Sequence, residues 1–141
     1  MQIVNATDVR RDWGGFIDSI IREKPMMIKR SRDKIFAISL AMLKEILAFD
    51  KMHVTIMPEE DGSVSAVIEE LDLLANAPDE NQVIQILTQD AMDYAEEYYK
   101  DFEYWHSAPN RKKNLPYVLA ILASDTQSVA KELFVCRAGK N

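Results

Sequence analysis

Two incompatible periodicities meet at Pro25, and that junction restricts more than anything else what the chain can fold into. Before it, Val9, Trp13, Phe16, Ile17, Ile20 and Ile21 recur at spacings of four, three, one, three and one, the pattern of one buried helical face. After it, the stretch MMIKRSRDKIFAISL holds two strand-like apolar runs around a charged tip. Proline has no N–H to continue a helix and pushes its predecessor towards extended backbone, so the helix stops there. Residues 26–29 and 35–39 read as antiparallel strands; their connection lacks Asn-Gly, which leaves the turn type open. Residues 2–5 give a further short strand. Asn5, with Asp8 three residues later, resembles a capping box that opens the helix near Ala6. Gly14 and Gly15 cost a helix about 1 kcal/mol each relative to Ala, so they imply either close approach of another backbone or a bend. Ser39 can cap a brief helix over residues 40–49 that places Leu43, Ile46 and Leu47 on one side.

Charge divides the chain further along. Residues 1–51 carry 10 Lys and Arg against 7 Asp and Glu, a net of +3, and residues 52–141 carry 7 against 16, a net of −9. A basic surface for a polyanion joined to an acidic region for a basic protein fits this asymmetry; two solvated faces fit it as well. With 141 residues and 48% hydrophobic content the chain can bury a core without staples. Its single cysteine, Cys136, excludes an internal disulfide framework. No apolar run reaches the roughly 18 residues of a membrane span, and the first residues lack a secretory layout, so a cytoplasmic location is expected.

In the second half, residues 52–57 alternate as a strand, Asp61-Gly62 signals a hairpin, and residues 64–68 return, with residues 71–74 as an extension. Pro78 and Asp79, with Gln82 as capping partner, open a long helix whose stripe of Val83, Ile86, Leu87, Ala91, Tyr94, Ala95, Tyr98, Phe102 and Trp105 predicts a run to about His106. Tyr99 and Tyr104 fall off that stripe. With Asp101 and Glu103 among them, they form a candidate acidic and aromatic surface for a basic protein. The basic residues Arg111, Lys112 and Lys113 form either a phosphate contact or a solvated loop. Pro116 starts a helix with Val118, Ile121 and Leu122 inward, Asp125 starts a last one with Val129, Leu133 and Phe134, and the chain ends polar.

Three pieces, Ala6-Thr7-Asp8-Val9-Arg10, Pro25-Met26-Met27-Ile28-Lys29-Arg30 and Ile35-Phe36-Ala37-Ile38-Ser39-Leu40, stand in the order and spacing of the Phd/YefM-type antitoxins of bacterial toxin–antitoxin pairs. The segment resembles their N-terminal domain, with two departures: the tip SRDK lacks the glycine common there, and Gly14-Gly15-Phe16 replaces the usual leucine pattern. The resemblance implies an α+β chain with a βαββα dimerisation and DNA-binding domain over residues 1–51, then a hairpin and helical domain over 52–141. It implies a homodimer on operator DNA. Arg10 and Arg11, at the N-terminal turn of the helix, can then reach base edges and phosphates, while Lys29, Arg30, Arg32 and Lys34 neutralise backbone charge. The hairpin followed by a long helix is also loosely similar to HicB-type antitoxins.

Catalysis has little in its favour. His53 and His106 belong to no metal or nucleophile signature, and there is no Gly-rich phosphate loop, Cys-x-x-Cys or His-Glu-x-x-His, so neither cofactor nor metal is expected. The expected function is an antitoxin that masks a ribonuclease-type toxin sterically and represses its own operon. The alternative is a stand-alone dimeric regulator whose second domain senses a protein or ligand.

Overall fold

In the computed structural model, which describes residues 1–139, the chain divides into two compact units, Met1–Ile46 and Leu47–Asn141. The fold is mixed α+β, with two small sheets and seven α-helices among the described residues.

In the first unit, β1 (Ile3–Asn5) runs into α1 (Ala6–Arg11) and α2 (Trp13–Arg22), which carry the chain back so that β2 (Met26–Arg30) pairs parallel to β1. A parallel partner needs such a crossover of a dozen or more residues. β3 (Asp33–Ala37) returns antiparallel, giving the order β1-β2-β3. α3 (Leu40–Leu47) follows, with the Ser39 hydroxyl accepting from the Met42 N–H at 3.3 Å, the expected cap.

Three expectations fail here for local reasons. The single helix before Pro25 is two helices that break at Asp12 (φ −132°, ψ 66°), whose carboxylate caps the second by accepting from the Gly15 N–H at 3.2 Å. Gly14 has nothing within 4 Å of where a Cβ would lie, so no backbone packs there; a Cβ on Gly15 would meet the Asp12 carboxylate at 2.3 Å. The glycines serve the bend and the cap. Asn5 stands at the N-cap of α1, which begins at Ala6 as expected, but its side chain makes no capping hydrogen bond; its backbone pairs opposite Lys29 in the β1–β2 ladder. Trp13, Ile21 and Ile46, expected to be buried, are 60%, 59% and 57% exposed, leaving Val9, Ile20 and Met26 as core.

In the second unit, β4 (Met52–Pro58) and β5 (Val64–Ile68) form the expected hairpin. Its turn is longer than a two-residue Asp-Gly type: Gly62 N–H donates to Glu59 O at 3.1 Å, Glu59 N–H to Ser63 O at 2.9 Å, and Gly62 takes the left-handed φ of 86°. The residues expected to extend β5 instead turn, with Asp72 at φ 55°, into a separate antiparallel strand, β6 (Leu73–Ala77).

α4 (Glu80–Lys100) opens on Asp79, whose carboxylate accepts from Gln82 N–H at 2.8 Å. It ends sooner than its apolar stripe predicts. The backbone breaks at Asp101 (φ −121°, ψ 57°) and α5 (Phe102–Ser107) folds back, so that Trp105 meets Tyr94 with ring centroids 5.8 Å apart. In a continuous helix those residues would be separated by about 16 Å along the axis.

α6 (Leu115–Leu122) has its proline in the first turn, buries Val118 and Ile121, and leaves Leu122 39% exposed. α7 (Val129–Leu133) follows a 3₁₀ turn at Thr126–Ser128. Phe134, expected on that helix, begins β7 (Phe134–Ala138), which pairs parallel to β4 and completes the order β6-β5-β4-β7. The core of this unit includes Met52, Val54, Ile68, Val83, Leu87, Tyr98, Val118 and Val129, each 1% exposed or less. Burying such a side chain is worth about 1.5–3 kcal/mol.

Candidate nucleic-acid and partner interfaces

Side chains alternate across a strand, so the register sorts the first sheet into two faces. The face bearing Val4 and Met26 lies against Val9 and Phe16 of the helices, where a cleft of about 330 Å³ remains, also lined by Asp8 and Ser19. The other face carries Ile3, Met27 and Phe36 in one cross-strand row, and Asn5, Lys29 and Lys34 in the next. Ile3 and Phe36 are 51% and 49% exposed, and both lysines are exposed. An apolar row therefore runs directly beside a basic one. Lys29 and Lys34 are register partners, an arrangement that destabilises a sheet through like-charge repulsion. A polyanion would relieve that cost.

The connection at the tip is two residues long, Ser31 and Arg32, with Ser31 in the left-handed region at φ 54° and Arg32 exposed. Arg10 and Arg30, distant in sequence, line one cavity of about 290 Å³ with Ala6 and Thr7. Arg10 and Arg11, expected at the N-terminal turn of a long helix, sit instead in the last turn of α1, because that helix is only six residues long. Arg11 lies 3.5 Å from the Asp8 carboxylate in an exposed pair, a contact worth little and easily exchanged for another anion.

On the second unit, Asp101, Glu103 and Tyr104 converge on one concavity of about 620 Å³ completed by Ser107, Ala108 and Pro109. Tyr104 is 64% exposed; Tyr99 is as open but does not line this concavity. Behind the wall lies a cluster that residue spacing could not reveal. The Arg111 guanidinium sits 5.7 Å from the Tyr94 ring centroid and 5.8 Å from that of Trp105. The buried Tyr98 hydroxyl donates to the Arg111 carbonyl at 3.0 Å and lies 3.2 Å from His106 Nδ1, and Asn114 donates to the Tyr94 hydroxyl at 2.9 Å. Burial, with Tyr94 adding to it, raises the Tyr98 pKa above the ordinary tyrosine value.

A second polar network, also absent from the sequence reading, crosses the sheet. Thr55 donates to Glu69 at 2.7 Å, Arg137 pairs with Glu69, and Glu70 accepts from the His53 backbone and ring. These bonds, Thr55 first, hold the Glu69 pKa below the usual glutamate value. Among the described residues no group of three or more His, Cys, Asp or Glu side chains is placed to hold a metal, and no helix is long and apolar enough to cross a membrane.

The family model for PHD-like antitoxins, described as "Antitoxin of toxin-antitoxin, RelE / RelB, TA system", matches residues 1–135. The chain belongs to this antitoxin family. A crystal structure from Syntrophomonas wolfei subsp. wolfei, described as "an antitoxin part of a putative toxin/antitoxin system", is similar along the whole antitoxin: TM-score 0.92, 35% identity, covering 99% of this chain and 100% of that one. No curated protein matches. As an antitoxin of a toxin–antitoxin system, the chain is one half of a pair and has a cognate toxin as its partner.

Proposed function

We propose that this antitoxin acts through two separate surfaces. Residues 1–51 form a Phd/YefM-like βαββα domain that dimerises and binds the operator of its own operon. Residues 52–141 form an acidic domain that neutralises a cognate ribonuclease-type toxin by covering it, with Tyr99, Asp101, Glu103 and Tyr104 facing the toxin. The observation that carries the first part is the pair of adjoining rows on the open sheet face, Ile3-Met27-Phe36 and Asn5-Lys29-Lys34. The apolar row supplies area for a second copy, and the lysines beside it then flank the two-fold axis. A symmetric dimer calls for a palindromic or near-palindromic operator.

Within this reading the basic residues divide the labour. Arg10 reads bases, supported by Arg11, while Lys29, Arg30, Arg32 and Lys34 hold the phosphate backbone. Neutralisation needs no catalytic residue, cofactor or metal, since occlusion of the toxin suffices, and the pair works in the cytoplasm, where operator and RNA are found.

The test is co-expression with the protein encoded by the adjoining reading frame, scoring complex formation and relief of growth arrest. Absence of both refutes the antitoxin pairing while leaving operator binding measurable by shift of the upstream DNA. In that assay Arg10→Ala relaxes sequence preference, and Arg30→Ala lowers affinity for all sequences and reduces the salt slope by about one per subunit, about two for the dimer. With roughly six to ten phosphates neutralised per dimer, affinity falls about a thousandfold or more between 50 and 200 mM salt. A flat salt response refutes the basic row as the DNA contact.

A further inference from the structure

We infer that the concavity beside α5 is a receptor for an arginine side chain of the toxin, and that Arg111 is the positioning residue that holds α5 in the folded-back course that makes it. The inference rests on the toxin-facing role proposed above for Asp101, Glu103 and Tyr104. It adds the chemistry of the group that enters and the internal support of the wall.

Three observations converge on a guanidinium. The concavity offers two carboxylates, Asp101 and Glu103, neither of which forms an ion pair among the described residues. Its remaining large wall is the Tyr104 ring, 64% exposed and braced edge-to-face by Trp105 at 5.6 Å and 84°. A planar cation that donates to carboxylates along its edge and stacks an aromatic ring on its face is arginine; the lysine ammonium is a compact, strongly hydrated point charge. The same aromatic cluster already seats a guanidinium on its inner side, that of Arg111 over Tyr94 and Trp105. Phosphate and nucleic acid are excluded by the sign of the charge.

The concavity exists only because α5 turns back at Asp101. No side-chain cap secures that turn. What holds it is the Trp105 ring between Tyr94, Tyr98 and Tyr104, and the segment after it, where Ala108 N–H donates to Tyr104 O at 3.1 Å, Arg111 N–H to Ala108 O at 3.2 Å and Tyr98 to Arg111 O at 3.0 Å. Asn110 takes the left-handed φ of 65° in this return. Arg111 completes it by lying over both the Tyr94 and Trp105 rings. A site held by packing before the partner arrives loses less freedom on binding.

The experiment measures affinity of the full chain for the purified protein of the adjoining reading frame. The double variant Asp101→Asn with Glu103→Gln keeps side-chain shape and removes charge; it weakens binding between about tenfold and a hundredfold, the range of charge-assisted hydrogen bonds. Tyr104→Ala weakens it comparably. Asp101→Arg abolishes binding, and charge reversal of one toxin arginine restores it, which locates the occupant. Arg111→Met shifts Trp105 emission to the red in a Trp13→Phe background and lowers affinity by a similar factor without loss of far-UV signal. If the wild-type chain binds and the double variant binds within about twofold of it, the receptor is refuted and the antitoxin reading stands. If reversal at no toxin arginine rescues Asp101→Arg, the occupant is not arginine. Unchanged emission and affinity in Arg111→Met overturn its positioning role. A wild-type chain that does not bind refutes both readings together.

Discussion

Removing the hydroxyl of Tyr98 tests whether the α4–α5 reversal is held by hydrogen bonds as well as by rings. Tyr98 is fully buried, and its hydroxyl lies 3.0 Å from the Arg111 carbonyl and 3.2 Å from His106 Nδ1. Tyr98→Phe keeps the edge contacts with Tyr94 and Phe102 and the stacking on Trp105. The carbonyl is not orphaned, because Asn114 N–H also donates to it at 3.0 Å, so the full desolvation penalty of about 1–3 kcal/mol does not apply. His106 is only part-buried and can turn to water. The expected loss is that of one to two net hydrogen bonds, about 1–1.5 kcal/mol. That lowers the midpoint by roughly 4–10 °C for a unit of this size. Urea unfolding of the full chain in a Trp13→Phe background, followed by Trp105 emission, reads it as a lower midpoint with an unchanged slope. Alkaline behaviour supplies a second readout. The folded pKa of Tyr98 lies above its unfolded value of 10.0, so this stabilisation is fully present below that value and is lost as pH rises through the folded pKa. Tyr98→Phe therefore makes the alkaline limb shallower, while Tyr117, raised by burial and then by Glu70 and Asp50, keeps its share. A loss below about 0.3 kcal/mol with an unchanged alkaline limb refutes the network; a loss above about 3 kcal/mol shows that ring packing was disturbed instead.

Gly62→Ala destabilises the second unit by about 1 kcal/mol through backbone strain alone, since φ is 86° and the space around the position is open; differential scanning calorimetry measures it. Asp12→Ala removes the α2 cap at a cost of about 1 kcal/mol, and Gly15→Ala displaces the same carboxylate. The double variant then costs less than the two losses summed, and additivity in chemical denaturation refutes the cap. Thr55→Val lets the Glu69 carboxyl titrate closer to the ordinary value of 4.5, followed by carboxyl-carbon NMR. Because the folded pKa is the lower one, this contribution is present above the unfolded value and is lost as pH falls through the folded one.

Local chemistry decided much of the first unit before any tertiary fact was known. Pro25 ends α2, Ser39 caps α3, and the alternation of residues 26–29 and 35–39 gives a hairpin because a strand's period of two cannot be read as a helix. The same rule misled at Asp12 and Asp101, where apolar spacing continues across a break in the backbone. Hydrophobic periodicity records which residues want burial; it does not record whether the axis that carries them bends. Most of the predicted DNA-facing residues were identifiable as exposed charge, yet nothing in their spacing tells that Arg10 and Arg30 share a cavity or that Lys29 stands opposite Lys34.

By itself, then, the sequence determined element identity wherever a cap, a proline or a clean alternation fixed the backbone locally: the β2–β3 hairpin, the start of α4 at Asp79, the proline-led α6. It also set the division between a basic first part and an acidic remainder. Only tertiary structure made β7 a strand, because its hydrogen-bonding partner, β4, lies some eighty residues earlier and supplies the edge that the Phe134–Ala138 backbone needs. Only tertiary structure folded α5 back to seat Trp105 on Tyr94 and gather Asp101, Glu103 and Tyr104 around one concavity. Backbone pairing and ring packing across distant segments are free-energy terms that no local window of residues contains.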